Sequence, residues 1–282
     1  MEKFAILGHP VAHSLSPAMH EANFKSLGYD GSYERFDVAP EDLASTVQRL
    51  KSEGYRGLNI TVPHKIHVID SLTAIDESVR RYGACNTVRF EEDGGTTGFN
   101  TDVIGFIEGL NANGCPLQGK RVAILGCGGA GSALAFACCY EGADAVTVCA
   151  RNEAKAKSLA DKLEKLGTAA KISIAVSQSA NKGADDPWTK SAAEADLVVN
   201  ATPLGIREGD PSALPSEAFH PGQFVYDIVP VKTFPPTAAA ARKAGATAFD
   251  GLQFLAGQGA AAFKLWTGLE ADKLSMLKAI GG

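Results

Sequence analysis

The sequence predicts an α/β protein of two lobes, and three observations carry that reading. Segments of strand and helix character alternate almost throughout, which implies a mainly parallel sheet covered by helices on both faces. A glycine-rich turn, Gly126–Gly131, joins an apolar strand to an apolar helix. Residues 251–282 read as closing helices with one apolar face (Leu252, Leu255, Phe263, Leu265, Trp266), expected to return to the first lobe. A chain of 282 residues has enough core for two modest domains. The expected division is 1–101 plus the helices from about 255 to 282, and 102–254.

Along the first lobe, Phe4–Leu7 reads as a strand and Pro17–Leu27 as a helix that Ser16 is placed to cap. Ser32–Val38 alternates as a strand, Pro40–Glu53 is a helix stopped by Gly54, and Arg56–Thr61 is a strand. Pro63 suits the first turn of a short helix over Pro63–Ile69. Asn86–Phe90 and Thr96–Phe99 flank Asp93-Gly94-Gly95, a hairpin signal. From Asp102 the units lengthen. Helices are expected at Val103–Asn113, Gly129–Glu141, Glu153–Leu166 and near Thr237–Ala244. Strands are expected at Arg121–Leu125, Ala145–Cys149, Ile172–Val176, Asp196–Asn200, Phe224–Ile228 and Thr247–Phe249. Ser177–Glu194 is polar and irregular and reads as a surface loop.

Composition narrows the class. Apolar residues make up 45% and charged residues 21%, ordinary values for a globular chain. A net charge of −5 without runs of like charge argues against a nucleic-acid partner. The opening Met1-Glu2-Lys3-Phe4 lacks the features of a signal peptide, so a cytoplasmic location is expected. Val122–Tyr140 is free of charge over about the length of a membrane span, but glycines interrupt it, and no membrane segment is expected. Six cysteines without a CxxC pair read as reduced thiols. No metal is expected, since His9, His20, His67 and His220 have no ligand spacing. His13 and His64 flank the motifs but are assigned no catalysis.

Two groups of residues carry chemistry. Gly126-Cys127-Gly128-Gly129-Ala130-Gly131 follows the strand Val122–Leu125 and opens a helix, the context a dinucleotide-binding turn requires. The helix start offers free N–H groups and positive dipole to a pyrophosphate. An NAD site usually carries an acid at the end of the next strand. Here that strand ends in Ala150-Arg151-Asn152, with Lys155 one turn later. A guanidinium binds phosphate in bidentate fashion, so the 2′-phosphate of NADP is favoured; the alternative is a solvated basic face.

The second group centres on Asn59-Ile60-Thr61-Val62-Pro63-His64-Lys65, an amide, a hydroxyl and an amine at a strand end. Such a cluster suits gripping hydroxyl groups and moving a proton. Ser14 and Ser16, Asn86, Asp102 and Gln258 also fall at predicted strand ends or turns. Plainer roles exist for each: Asp102 as a helix cap, Asn86 and Thr61 as partners of buried backbone, Lys65 as a surface charge.

Together these segments resemble the shikimate dehydrogenase family. The resemblance runs from Ile6-Leu7-Gly8-His9-Pro10 to the last helix, and Asn59–Lys65, Asn100-Thr101-Asp102 and Asn200-Ala201-Thr202-Pro203-Leu204-Gly205 are its most specific parts. It implies NADPH-dependent reduction of 3-dehydroshikimate to shikimate, a step of aromatic amino-acid synthesis. It implies Lys65 and Asp102 as the catalytic pair, with Ser14, Ser16, Thr61, Asn86 and Gln258, joined here by Asn59, on the substrate. Gly126, Cys127, Gly128, Gly129, Ala130, Gly131, Arg151, Asn152, Lys155, Thr202, Ile228 and Gly251 fall to NADP, Gly251 near the nicotinamide. A monomer or homodimer is expected. Alternatives within the family are quinate/shikimate and aminoshikimate dehydrogenases, some using NAD. Outside it stands a non-catalytic nucleotide-binding protein, against which the intact Lys65 and Asp102 argue.

The chain departs from the family pattern in one late loop. Tyr226-Asp227-Ile228-Val229-Pro230-Val231-Lys232-Thr233 stands where a tyrosine is usual after the strand. Phe254 and Ile206 occupy positions where methionine is common. These changes bear on which ring the site accepts.

Overall fold

A computed structural model describes residues 1–179, 182–231 and 233–282. Lys232, and positions 180 and 181 of the expected 177–194 loop, lie outside the described residues. The elements in chain order begin β1 (Glu2–Gly8), α1 (Ser16–Leu27), β2 (Gly31–Asp37), α2 (Leu43–Ser52), β3 (Tyr55–Ile60), β4 (Ala74–Ile75) and α3 (Glu77–Tyr82). They continue with β5 (Thr87–Phe90), β6 (Thr96–Phe99), α4 (Asp102–Ala112), β7 (Arg121–Leu125), α5 (Gly129–Tyr140), β8 (Ala145–Ala150) and α6 (Glu153–Glu164). The last are β9 (Lys171–Val176), α7 (Pro187–Ala193), β10 (Leu197–Asn200), β11 (Phe224–Asp227), α8 (Pro236–Lys243), β12 (Thr247–Phe249), α9 (Leu252–Thr267) and α10 (Lys273–Ile280).

The chain forms two compact units, Met1–Glu108 with Gln253–Gly282, and Gly109–Leu252. The boundary runs through α4, seven residues beyond the expected break at 101/102. The first turns of α4 stay with the first unit because Gly105 lets α9 come close. A Cβ there would sit 2.4 Å from the Phe254 carbonyl oxygen.

The first unit holds a mixed six-stranded sheet in the order β2-β1-β3-β5-β6-β4. β1 pairs in parallel with β2 and β3, while β5 runs antiparallel to β3 and β6. The hairpin accounts for the departure from a parallel sheet, since a tight turn joins antiparallel neighbours. Both faces are buried. Ala5, Leu7, Leu58 and Ile60 face one core, and Phe4, Ile6 and Tyr33 face another with Phe24, Phe263 and Trp266. Gly57 makes room for Trp266, whose indole N–H donates to the Val88 carbonyl at 3.0 Å. Asn59, two residues beyond Gly57, lies on that same face.

The second unit is an all-parallel sheet in the order β12-β11-β10-β7-β8-β9. The strand order reverses between β7 and β10, the switch point at which doubly wound folds bind ligands.

Local expectations are corrected at several points. Ser16 is the first residue of α1 rather than its cap, and no side chain caps that helix. The helix expected over Pro63–Ile69 is absent. The Val62–Pro63 peptide is cis, and His64 N–H donates to the Thr61 carbonyl at 2.9 Å, closing a turn around the proline. A short 3₁₀ segment follows at His67–Ser71. The expected 177–194 loop contains α7, capped by Asp186 and opened by Pro187. α3 is a further short helix, capped by Asp76 and closed by Gly83. Val103 N–H is met by Asn100 Oδ1 at 3.2 Å, which leaves Asp102 free of a capping role. Among the described residues no helix is long and apolar enough to cross a membrane.

Candidate active site

In the first unit the turn after β3 sets Lys65. Its carbonyl accepts from Cys85 N–H at 2.8 Å, which fixes the backbone. Its Nζ donates to Asp102 Oδ2 at 2.6 Å, with 12% of the lysine side chain and 2% of the aspartate exposed. This is a nearly dry pair whose amine retains a small opening to solvent. Asp102 Oδ1 accepts from Asn86 Nδ2 at 2.8 Å, and Gln258 Oε1 accepts from the same nitrogen at 3.2 Å. Asn86 Oδ1 takes the Thr101 backbone N–H at 2.7 Å. An amide, a carboxylate and an amine from three segments thus meet a second amide on α9. The Cys85 thiol is pushed up to about 12 by burial, so it stays a thiol beside this pair.

The remaining expected substrate residues border this group. Thr61 is partly exposed, and its N–H donates to the Leu7 carbonyl at 2.9 Å. Ser14 Oγ accepts from Ser16 N–H at 3.3 Å, which orders the loop before α1. Asn59 is buried and both polar atoms of its amide have partners. Tyr33 Oη donates to its Oδ1 at 2.6 Å, and its Nδ2 donates to Thr87 Oγ1 at 3.2 Å and to the Asn86 carbonyl at 3.3 Å.

In the second unit the glycine turn crosses the end of β7. Gly126 has φ +102°, a conformation side chains resist. A Cβ on Gly131 would stand 2.1 Å from the Gly126 carbonyl oxygen, so only glycine fits the packed side of the turn. Gly128 differs, with no atom within 4 Å of the place its Cβ would take. The open side therefore lies over bare backbone, and no side chain caps α5, so its first N–H groups remain available to an anion. These features fit a dinucleotide pyrophosphate. Cys127 is a half-buried thiol raised by burial, with the Lys155 charge opposing.

Thr202, Ile228 and Gly251 follow β10, β11 and β12 at the same edge of the sheet. Thr202 N–H and Oγ1 both donate to Asn200 Oδ1, at 3.1 and 2.7 Å. A Cβ on Gly251 would press within 2.5 Å of the Ile228 carbonyl oxygen, so these two loops touch. Asp227, at the end of β11, is buried. Burial raises its carboxyl from 3.8 to about 7 against the Asn200 hydrogen bond.

Arg151 and Asn152 line an open cavity with Glu153 and Gln178. Asn152 Oδ1 is used to cap α6, accepting from Lys155 N–H at 2.9 Å. Arg151 forms no ion pair among the described residues. Sequence patterns do not single out Gln178, Tyr33 or Thr87, whereas Thr101 stands inside the specific segment Asn100-Thr101-Asp102. Of those three, only Gln178 carries a signal, its place just beyond the strand that follows Arg151. Among the described residues no group of three or more His, Cys, Asp or Glu could hold a metal ion.

Known proteins match both parts. Residues 6–88 match the shikimate dehydrogenase substrate binding domain, residues 251–280 the shikimate 5′-dehydrogenase C-terminal domain, and residues 121–229 the family described as NADP oxidoreductase, coenzyme F420-dependent. A shikimate dehydrogenase (NADP(+)) of Moorella thermoacetica is 43% identical over 271 residues, covering 95% of this chain and 88% of its own. The solved shikimate 5-dehydrogenase of Thermus thermophilus, in complex with NADP(H) and shikimate, is 39% identical at a TM-score of 0.84, covering 99% of this chain and 98% of that one. A quinate dehydrogenase of Corynebacterium glutamicum in complex with NAD has the same TM-score of 0.84 at 31% identity, covering 99% and 98%, so backbone likeness does not separate the two names. With both domain models matched and a 43% identical relative spanning nearly its full length, the chain belongs to the shikimate dehydrogenase family.

Proposed function

We propose that this protein is an NADP-dependent shikimate dehydrogenase, reducing 3-dehydroshikimate reversibly to shikimate. The observation that carries this reading is the buried Lys65–Asp102 pair tied through Asn86 to Gln258. Bound NADPH supplies the hydride for the ketone carbon. Lys65 stabilises the negative charge that develops on the ketone oxygen and delivers a proton to it; in the reverse direction its amine takes the proton back. Asp102 orients that amine and accepts from a substrate hydroxyl. Asn86 and Gln258 exchange their mutual hydrogen bond for a hydroxyl of the ring. Ser14, Ser16 and Thr61 bind further hydroxyls or the carboxylate without adding charge. The glycine turn takes the pyrophosphate, Arg151 and Lys155 the 2′-phosphate, and Thr202, Ile228 and Gly251 border the nicotinamide. The same reading includes a cytoplasmic location, a monomer or homodimer, and no nucleic-acid partner.

A matrix of shikimate and quinate against NADP and NAD, assayed on purified protein, tests it. The expected result is preference for shikimate with NADP. Preference for quinate with NAD would overturn it and turn attention to the Val229 loop, where the family's tyrosine is missing.

A further inference from the structure

On the face of the first sheet shared by α1 and α9, a row of buried polar side chains leads away from Lys65. Tyr33 stands at its far end. It sits on β2 opposite Phe4 of β1, and its hydroxyl reaches across β1 to Asn59 Oδ1 on β3 at 2.6 Å. Asn59 Nδ2 then donates to Thr87 Oγ1 and to the Asn86 carbonyl. Thr87 Oγ1 lies 3.0 Å from Thr101 Oγ1 and 3.3 Å from Asn86 Oδ1. Asn86 and Thr101 in turn border Asp102, which holds Lys65. All the intermediates are buried. The His20 ring stacks on Tyr33 at 4.4 Å and 8°. Burial keeps that imidazole at about 3, hence neutral, and raises Tyr33 well above its ordinary range, hence always a donor.

Asn59 is buried, and every polar atom of its amide already has a partner. Its acceptor is taken by Tyr33 and both amide hydrogens by Thr87 and the Asn86 backbone. Asn86 differs, because its partners Asp102 and Gln258 are themselves site groups. We infer that Tyr33 is a positioning residue for the substrate site: through Asn59 and Thr87 it steadies the orientation of the Asn86 amide. Asn59 is on this account a positioning residue too, not a substrate ligand. An amide can be turned end for end at little steric cost, so only its hydrogen-bond partners decide which atom faces Asp102. The Thr101 N–H selects Oδ1 directly, and Tyr33, through Asn59 and the Thr87 hydroxyl, reinforces that choice from outside the site.

This inference rests on the shikimate dehydrogenase reading, and the experiment separates the two. Tyr33→Phe and Thr87→Val remove one hydroxyl each, and both are assayed singly and together for shikimate oxidation, alongside thermal melting. Loss of one buried hydrogen bond to a polar partner corresponds to roughly a tenfold fall in kcat/KM for shikimate. The expected result is such a fall in each single variant, carried by KM for shikimate, with KM for NADP within about twofold of wild type. Because both act through one relay, the double variant should lose little more than the worse single. A merely structural role would lower melting temperature and folded fraction while leaving both KM values in place. Unchanged kcat/KM in Tyr33→Phe, or losses that multiply in the double variant, would overturn the relay. Should Tyr33→Phe fail to fold, Thr87→Val decides alone, and an unchanged KM for shikimate in it overturns the relay. A wild-type protein that does not oxidise shikimate would overturn the underlying reading instead.

Discussion

The substrate group in the first unit and the nucleotide turn in the second are made of different parts. Lys65, Asn86, Asp102 and Gln258 come from four segments, with Asn86 and Gln258 172 positions apart. Their work is done by side chains, and each is held by another side chain. The turn Gly126–Gly131 is six consecutive residues, and its work is done by backbone; its side chains matter mostly by being absent. A network of side chains fails when one functional group is lost. A backbone cradle fails when an atom is added.

That contrast can be broken from either end. The largest effect is expected from Lys65→Met, which removes the proton donor. Turnover should fall by about 10²–10⁴, measured as kcat with saturating shikimate and NADP. Next stand the glycines. Gly131→Ala would force the Gly126 carbonyl to move, and displacing the turn by about 1 Å should raise KM for NADP on the order of a hundredfold, with a lower melting temperature. Gly128→Ala meets no protein atom. It should weaken NADP binding at unchanged melting temperature, and unchanged NADP binding would show that no ligand approaches that backbone. Arg151→Ala should raise KM for NADP by about tenfold to a hundredfold while leaving NAD alone, since one charge-assisted contact to the 2′-phosphate is lost. Equal losses for both nucleotides would remove Arg151 from the 2′-phosphate.

The smallest effect concerns stability. Asp227 is raised by burial to about 7, so its neutral form is the one the fold favours. Its contribution is complete below the ordinary value of 3.8 and is lost as pH rises through about 7. The melting temperature of the wild type relative to Asp227→Asn should therefore fall between about pH 4 and pH 7 and level off above, by about 2–4 °C for each kcal/mol lost. A constant gap across that range would mean that Asp227 is ionised throughout.

The same contrast explains what could be read from the chain. The glycine turn was legible because its determinants are adjacent, and Arg151 because it ends the very next strand. Lys65 and Asp102 were legible because each lies in a short specific segment. Tyr33 was not. In sequence it is one more residue of an alternating strand, and its role arises only when its side chain crosses β1 to Asn59. Thr87 was hidden for the same reason. Two short helices escape the pattern although Asp76, Gly83, Asp186 and Pro187 mark their ends, because six or seven residues show too little periodicity. Pro63 misled: proline fits a helix start and a turn equally well, and here it makes the turn that presents Lys65. Ser16 likewise resembled a cap, but it is the first residue of α1.

The most direct test of the division of labour is nucleotide binding by Lys65→Met, titrated by calorimetry with NADP beside the wild type. If catalysis belongs to the side-chain network and nucleotide binding to the backbone turn, Kd should stay within about twofold while turnover collapses. A Kd that weakens in step with turnover would contradict that division.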